Sequence, residues 1–186
     1  MSVDLSMDES VGEGVPRSFG RSPVPARGVL YVHSCPPAVC PHVEWAVARV
    51  LGVPVNLKWT AQPADPTTLR TESQWTGSPG TAGEIATALR AWPMTRFEIT
   101  EEPSPGVDGE RIMHVPGRGV HRSAMSANGD IMVSEDRLRS LLATAAGPDA
   151  LAHGLEKLLA AEWDLELEPY RHAGDGAPVT WLHRTG

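Results

Sequence analysis

Residues 55–76, VNLKWTAQ-PADPTT-LRTESQWT, carry the pattern that decides the fold. In each half, apolar or small residues alternate with polar ones, which is the two-residue period of a β-strand. The proline-rich link at residues 63–66 is typical of a turn. The segment therefore predicts a β-hairpin, with Trp59 and Trp75 as cross-strand or same-face neighbours.

A strand and a helix are predicted on each side of this hairpin. Residues 28–34, GVLYVHS, favour a strand, and residues 41–51 favour a helix that starts with proline and stops before a glycine. After the hairpin, residues 78–92 predict a second helix and residues 96–101, RFEITE, a fourth strand. This order is the split β-α-β-β-α-β (ferredoxin-like) signature, so we predict an α+β fold with both helices on one face of an antiparallel sheet.

The second half of the chain is expected to extend this sheet and to add two helices. Residues 110–116 and 119–125 predict strands, and an Asn-Gly hairpin signal follows them. One helix is predicted to begin at Ser134, and another after Gly147. Residues 163–168 alternate apolar and acidic side chains, which favours an edge strand protected by its charges. The leucines expected to be buried in the two helices are Leu138, Leu141 and Leu142 in the first and Leu151, Leu155, Leu158 and Leu159 in the second.

Length and composition predict one soluble domain with two loose ends. The chain has 186 residues, of which 41% are hydrophobic, enough for a real core. Residues 1–26 are rich in Gly, Pro and Ser and predict a disordered tail. Residues 27–170 form the predicted domain, and residues 171–186 are expected to be loose. No secretory signal and no apolar run of about 20 residues occurs, and two cysteines are too few for a secreted disulfide framework, so we expect a cytoplasmic protein.

The charge of the chain limits the class of partner. The formal net charge is -7, whereas nucleic-acid binding draws most of its affinity from a basic surface. We therefore expect neither a nucleic-acid nor a membrane partner, but a protein or a small metabolite. A modest basic concentration at Arg118, His121 and Arg122 could meet an acidic ligand.

Residues 33–44, HSCPPAVCPHVE, hold the densest set of reactive side chains. Two Cys and two His invite a zinc interpretation, but the spacing is not that of a familiar finger, so we predict no metal and no cofactor. Cys40 lies at a predicted helix start, where the helix dipole lowers a thiol pKa, and with His42 and Glu44 it could act as a nucleophile. The open alternatives are an enzyme or metal site built on His33, Cys40, His42 and Glu44, a Cys35–Cys40 disulfide, and a cysteine that is simply buried.

Residues 77–84, GSPGTAGE, form a glycine-rich helix start. Such a backbone can cradle an anion. The segment lacks the lysine of a P-loop and does not match the dinucleotide-binding fingerprint. An anion site and an ordinary close-packed helix start both remain open.

The sheet face opposite the two helices carries side chains of both charges. A solvated face without a role is the simpler interpretation, but open-faced sheets of this kind often bind ligands there. Our leading hypothesis is a cytoplasmic binding or regulatory module that uses this open polar face. The candidate ligand-binding residues are Lys58, Arg70, Glu72, Arg96 and His121.

Several motifs resemble a known family. They are GVLYVHS at 28–34, CPHVEW at 40–45, LGVPV at 51–55, FEITEEP at 97–103, NGDI at 128–131 and EDRL at 135–138. Over residues 27–145 the chain resembles an actinobacterial family catalogued only as a domain of unknown function. The resemblance implies an actinobacterial, cytoplasmic protein, and it adds no activity, cofactor or catalytic residue.

Overall fold

The computed structural model describes residues 24–172, which contain seven strands and five helices. The strands are β1 (Ala26–Cys35), β2 (Thr60–Ala61), β3 (Leu69–Gly77), β4 (Arg96–Glu101), β5 (Gly109–Val115), β6 (Gly119–Met125) and β7 (Ile131–Met132). The helices are α1 (Cys40–Leu51), α2 (Thr81–Leu89), α3 (Glu135–Thr144), α4 (Pro148–Leu158) and α5 (Ala161–His172). One antiparallel sheet holds all seven strands in the order β2-β3-β1-β4-β5-β6-β7. The described chain is therefore a mixed α and β fold.

The first half follows the predicted order of elements, except that β2 is much shorter than expected. Residues 55–62 were predicted as a strand, but only Thr60 and Ala61 pair with β3. The reason is a side chain from α1: the Glu44 carboxylate accepts the backbone N–H of Leu57 at 3.2 Å and the indole N–H of Trp59 at 2.8 Å. This contact holds residues 57–59 against α1.

The main core lies between the sheet and helices α1 and α2. Leu30 and Val32 of β1 stand opposite Ile99 and Phe97 of β4, and all four are buried on this face because strand side chains alternate. Their helical partners in the core include Val43, Val47, Ile85 and Leu89. The helical spacing of these apolar residues fixes which face of each helix meets the sheet.

The second half confirms the predicted β5–β6 hairpin but corrects the end of the domain. Residues 163–168 were predicted as an edge strand, yet they belong to α5, so three helices rather than two end the described chain. Contacts with the sheet favour the helical conformation of this segment. The side chains that contact the sheet recur at helical spacing; they are Asp164, Leu167 and Arg171. A second core of Met113, Val115, Ala160 and Leu167 lies under α5, on the sheet face opposite α1 and α2.

Elements of the described chain extend beyond the predicted domain at both ends. Ala26, assigned to the tail, begins β1 and is buried, and Arg171, assigned to the loose C-terminal segment, lies buried within α5. The rest of the predicted tail, residues 1–23, and of the C-terminal segment, residues 173–186, lie outside the described residues. Within residues 24–172, no helix combines the length and the apolarity needed to cross a membrane.

Candidate functional site

The Cys40 helix start has an electrostatic environment opposite to the expected one. Cys40 is the first residue of α1 and is buried, and its thiol and that of Cys35 each donate to the Pro36 carbonyl oxygen at 3.5 Å. Burial raises the pKa of the Cys40 thiol despite the opposing effects of the neighbouring Cys35 thiol and of a backbone hydrogen bond, and burial raises the pKa of Cys35 as well. Desolvation therefore outweighs the interactions that favour the Cys40 thiolate. Both thiols are free, so the suggested disulfide is not formed.

The other residues predicted around Cys40 have separate partners. His42 is exposed and stacks on Trp92, with ring centroids 6.0 Å apart. Glu44 is occupied by residues 57–59, as described above. The His33 ring bonds Glu98 at 2.7 Å, towards α5 and away from the core that contains Cys40. In the described part of the chain, no group of three or more His, Cys, Asp and Glu side chains could hold a metal ion.

These environments predict unreactive thiols in the native protein. With the pKa of both thiols raised and both sulfur atoms buried, we expect much slower reaction with an aromatic disulfide reagent at pH 8 in the native state than in guanidinium. The time course of thiolate release at each condition measures the difference. Rapid native reaction of one thiol would instead favour the nucleophile hypothesis for Cys40.

The glycine-rich start of α2 already holds an anion from the chain itself. The buried Glu101 carboxylate, on β4, accepts the backbone N–H of Gly80 at 2.7 Å and that of Ala82 at 3.0 Å. A carboxylate at this position satisfies N–H groups that the helix leaves unpaired and complements the helix dipole. An external anion would have to displace Glu101, so the close-packed interpretation of residues 77–84 is the better one.

The polar sheet face is not open over its centre, because α5 covers it. Glu98 of β4 is 1% exposed and accepts hydrogen bonds from Arg111 of β5 and Arg171 of α5, both at 2.6 Å, besides its bond to His33. Asp164 of α5 accepts from the same two arginines at 2.7 and 2.8 Å. This result corrects the prediction of an open face, because residues 163–168, predicted as an edge strand, belong to the helix that covers it.

The charges of this cluster stabilise one another. Burial alone would raise the pKa of Glu98, but the hydrogen bond and charge of His33 and the charges of Arg111 and Arg171 hold it well below its usual range. Burial opposes the charge of Arg171, and Glu98 nevertheless raises the pKa of that guanidinium. The ion pairs of this cluster therefore hold α5 against the sheet.

The five predicted ligand-binding residues are spread across the sheet, from its β2 edge through the central strand β4 to β6. Lys58 and Glu72 are exposed and Arg70 is half-buried, near the β2 edge. Arg96 stacks on the Tyr170 ring, 4.4 Å from its centroid. His121, on β6, contacts Ser123 and the Trp163 ring. Four strand spacings of about 4.8 Å separate β3 from β6, so Arg70 and His121 are about 19 Å apart across the sheet.

Helix α4 exposes an apolar face that the sequence analysis expected to be buried. We call its three leucines and the leucine at its C-cap the leucine face; they are Leu151, Leu155, Leu158 and Leu159. Leu155 is 38% exposed and Leu159 is 48% exposed, and neither α3 nor α4 has any fully buried residue. Helix α3 covers one side of α4, where Leu141 packs directly on Gly154. The helical spacing of these leucines was visible in the sequence, but the exposure of part of their surface was not.

Comparisons with known proteins place this fold in a family. The class that the structure defines is a mixed α and β protein with one antiparallel sheet, covered by α1 and α2 on one face and by α5 on the other. The model of the family described as "Protein of unknown function (DUF3145)" matches residues 29–184, so the chain belongs to this family. The match extends beyond residue 145 through all three C-terminal helices. No curated protein and no solved structure matches the chain.

Proposed function

We propose that this protein is a non-catalytic binding module that docks a partner protein on the leucine face. The observation that carries the proposal is the exposure of Leu155, on α4, and of Leu159, one turn further along at its C-cap. Exposed apolar patches on a folded protein mark interaction sites, because their contact with water is unfavourable. This proposal keeps the predicted binding role and moves it from the sheet face, which α5 covers, to the C-terminal helices.

The partner that fits this surface is an amphipathic helix with basic flanks. An apolar stripe on one helix is best covered by apolar side chains at helical spacing on another, as in helix-in-groove recognition. Covering the exposed parts of Leu155 and Leu159 would contribute about 1–2 kcal/mol, so the two side chains are anchors within a larger contact. The formal net charge of -7 favours a basic rim on the partner.

Paired serine substitutions test the proposal. We expect a partner to co-purify with the tagged wild type and with the control Leu165→Ser, which alters an exposed leucine on α5, but not with Leu155→Ser/Leu159→Ser. The double variant should unfold at a slightly lower temperature than the other two proteins, because Leu155 and Leu159 are 38% and 48% exposed whereas Leu165 is 77% exposed. Retention of the partner by the double variant would overturn the proposal.

Two further outcomes would identify a different occupant of the leucine face and would also overturn the docking proposal. A marked loss of thermal stability in the double variant alone would mean that the chain itself covers the leucine face. A molecular mass that doubles with concentration for the wild type, but not for the double variant, would mean that a second copy does. Light scattering and thermal unfolding distinguish the two.

Two finer inferences accompany this proposal. The strand order β2-β3-β1-β4, with α1 and α2 on one face, supports a ferredoxin-like split β-α-β unit in the first half. The resemblance noted in the sequence supports an actinobacterial, cytoplasmic protein. The enzyme alternative at residues 33–44 gains no support, since burial raises the pKa of the Cys40 thiol.

A further inference from the structure

A cleft of about 270 Å³ opens at the outer edge of β6, beside the leucine face, with which it shares Leu158. It exists because β7 pairs with β6 only at Ala124 and Met125, after which the chain leaves the sheet at Val133 to begin α3. Helix α4 closes the far side with Leu158. The volume is slightly below the range of drug-sized pockets and suits a small metabolite.

The two sides of the cleft differ in chemistry. Met132, Val133 and Leu158 supply an apolar wall. The other lining residues include two serines and three charged residues; they are Ser123, Ser134, Arg137 and the ion pair of Arg122 with Glu110. A pocket of this kind fits a ligand with an apolar body and one polar end.

Arg137 is the cation that this cleft leaves uncompensated. Arg122, also in the lining, is neutralised by a two-pronged bond to Glu110, at 2.7 and 2.8 Å. Arg137 is exposed and forms no hydrogen bond or ion pair with any residue in the described range 24–172. A guanidinium binds a carboxylate through two parallel N–H donors, so a carboxylate is the anion that best fits this position.

The floor of the cleft adds a second polar contact. Ser123 Oγ lies 2.9 Å from His121 Nε2. Burial lowers the pKa of His121, and the charges of Arg137 and Arg111 lower it further against the opposing charge of Asp164, which favours a neutral ring. In the tautomer protonated at Nε2, the ring donates to Ser123 Oγ and the serine O–H is available to a ligand.

We propose that this cleft binds a small carboxylate with an apolar body. The carboxylate pairs with Arg137 and accepts a hydrogen bond from Ser123, while the apolar body lies against Met132, Val133 and Leu158. His121 acts as a positioning residue for Ser123. The site includes His121 from the predicted ligand-binding set and adds Arg137 and Ser123, which no sequence pattern had indicated.

Titration with short-chain carboxylates from propanoate to octanoate, followed by backbone NMR, tests this site. We expect chemical-shift changes confined to β6, β7 and the start of α3, and no such changes with the matching alcohols. Arg137→Gln should weaken binding by about tenfold or more, as expected for the loss of a charge-assisted pair. The control Arg139→Gln, which removes an exposed arginine paired with Glu135 on the same helix, should leave the affinity unchanged.

The remaining outcomes each contradict the proposal. Equal binding of acids and alcohols would show an apolar cavity without anion recognition. The proposal would also be wrong if no acid bound, or if the chemical-shift changes fell elsewhere on the protein. Equal affinity of the wild type and the Arg137→Gln variant would contradict it as well. Because Leu155→Ser/Leu159→Ser should bind carboxylates as the wild type does, failure of the docking proposal does not affect this result.

Discussion

Replacing Glu98 with Gln is expected to lower the free energy of unfolding by about 3 kcal/mol at neutral pH, because it removes the more deeply buried of the two carboxylates that Arg111 and Arg171 share and leaves them the partly exposed Asp164. Urea denaturation measures this loss. The control is Glu135→Gln, which breaks an i,i+4 pair whose two side chains are both 74% exposed. That pair should be worth no more than about 0.5 kcal/mol. Similar losses in the two variants would contradict the buried cluster.

The same pair of proteins should show a defined pH dependence. The pKa of Glu98 is well below its ordinary value of 4.5 in the folded state and close to that value when unfolded. Its ionised form therefore stabilises the fold fully above about pH 4.5, and this contribution is lost as the pH falls towards the folded pKa. We expect the difference in unfolding free energy between wild type and Glu98→Gln to shrink with acidification below pH 4.5. A difference that grows on acidification would contradict this sign.

Gly28→Ala is the second substitution with a large expected effect. A Cβ at this position would lie 1.8 Å from the Thr100 carbonyl oxygen and 2.5 Å from the Trp75 ring. The carbonyl belongs to the backbone of β4, so β1 and β4 would have to separate. We expect a loss of about 3 kcal/mol or more in urea denaturation, at or beyond the upper end for an overpacked core.

Gly83→Ala provides the matched control for this clash. Gly83 lies inside α2, where a new Cβ would meet only the flexible end of the Arg122 side chain, at 3.0 Å. Alanine is better than glycine in a helix by about 1 kcal/mol, so this variant should be as stable as the wild type or more stable. If both variants behaved alike, the register that places Gly28 opposite Glu101 would be wrong.

The sequence predicted the first half of the fold well because its signals are local. Alternation in β3, the proline at the start of α1 and the glycine after it all act within a few residues. The shortening of β2 was not predictable, since it depends on Glu44, which lies 13 positions from Leu57. Helix α5 was missed for a similar reason. Its acids and leucines alternate as in a strand, whereas its helical face is defined by Glu98, 73 positions from Arg171.

The candidate sites depended on burial, which a sequence pattern does not give directly. The helix dipole at Cys40 was expected to lower the thiol pKa, but the pKa is raised, chiefly by burial in the core. The glycines of residues 77–84 indicated an anion site, and the anion proved to be Glu101 from a strand. His121 was selected for its charge and now lies beside the β6 cleft through Ser123. The leucines of α4 were predicted as a stripe, yet only the packing of α3 and α5 shows how much of it remains exposed.

Site-specific photo-cross-linking in the source organism tests the docking of a partner on α4 most directly. A photoreactive side chain would replace Leu159 in one protein and Leu165 of α5 in the other, both exposed positions. We predict one discrete adduct with another protein from position 159, none from position 165, and loss of the adduct when Leu155→Ser is added. Adducts from both positions alike, adducts only with a second copy of this chain, or none from position 159 would contradict the proposal.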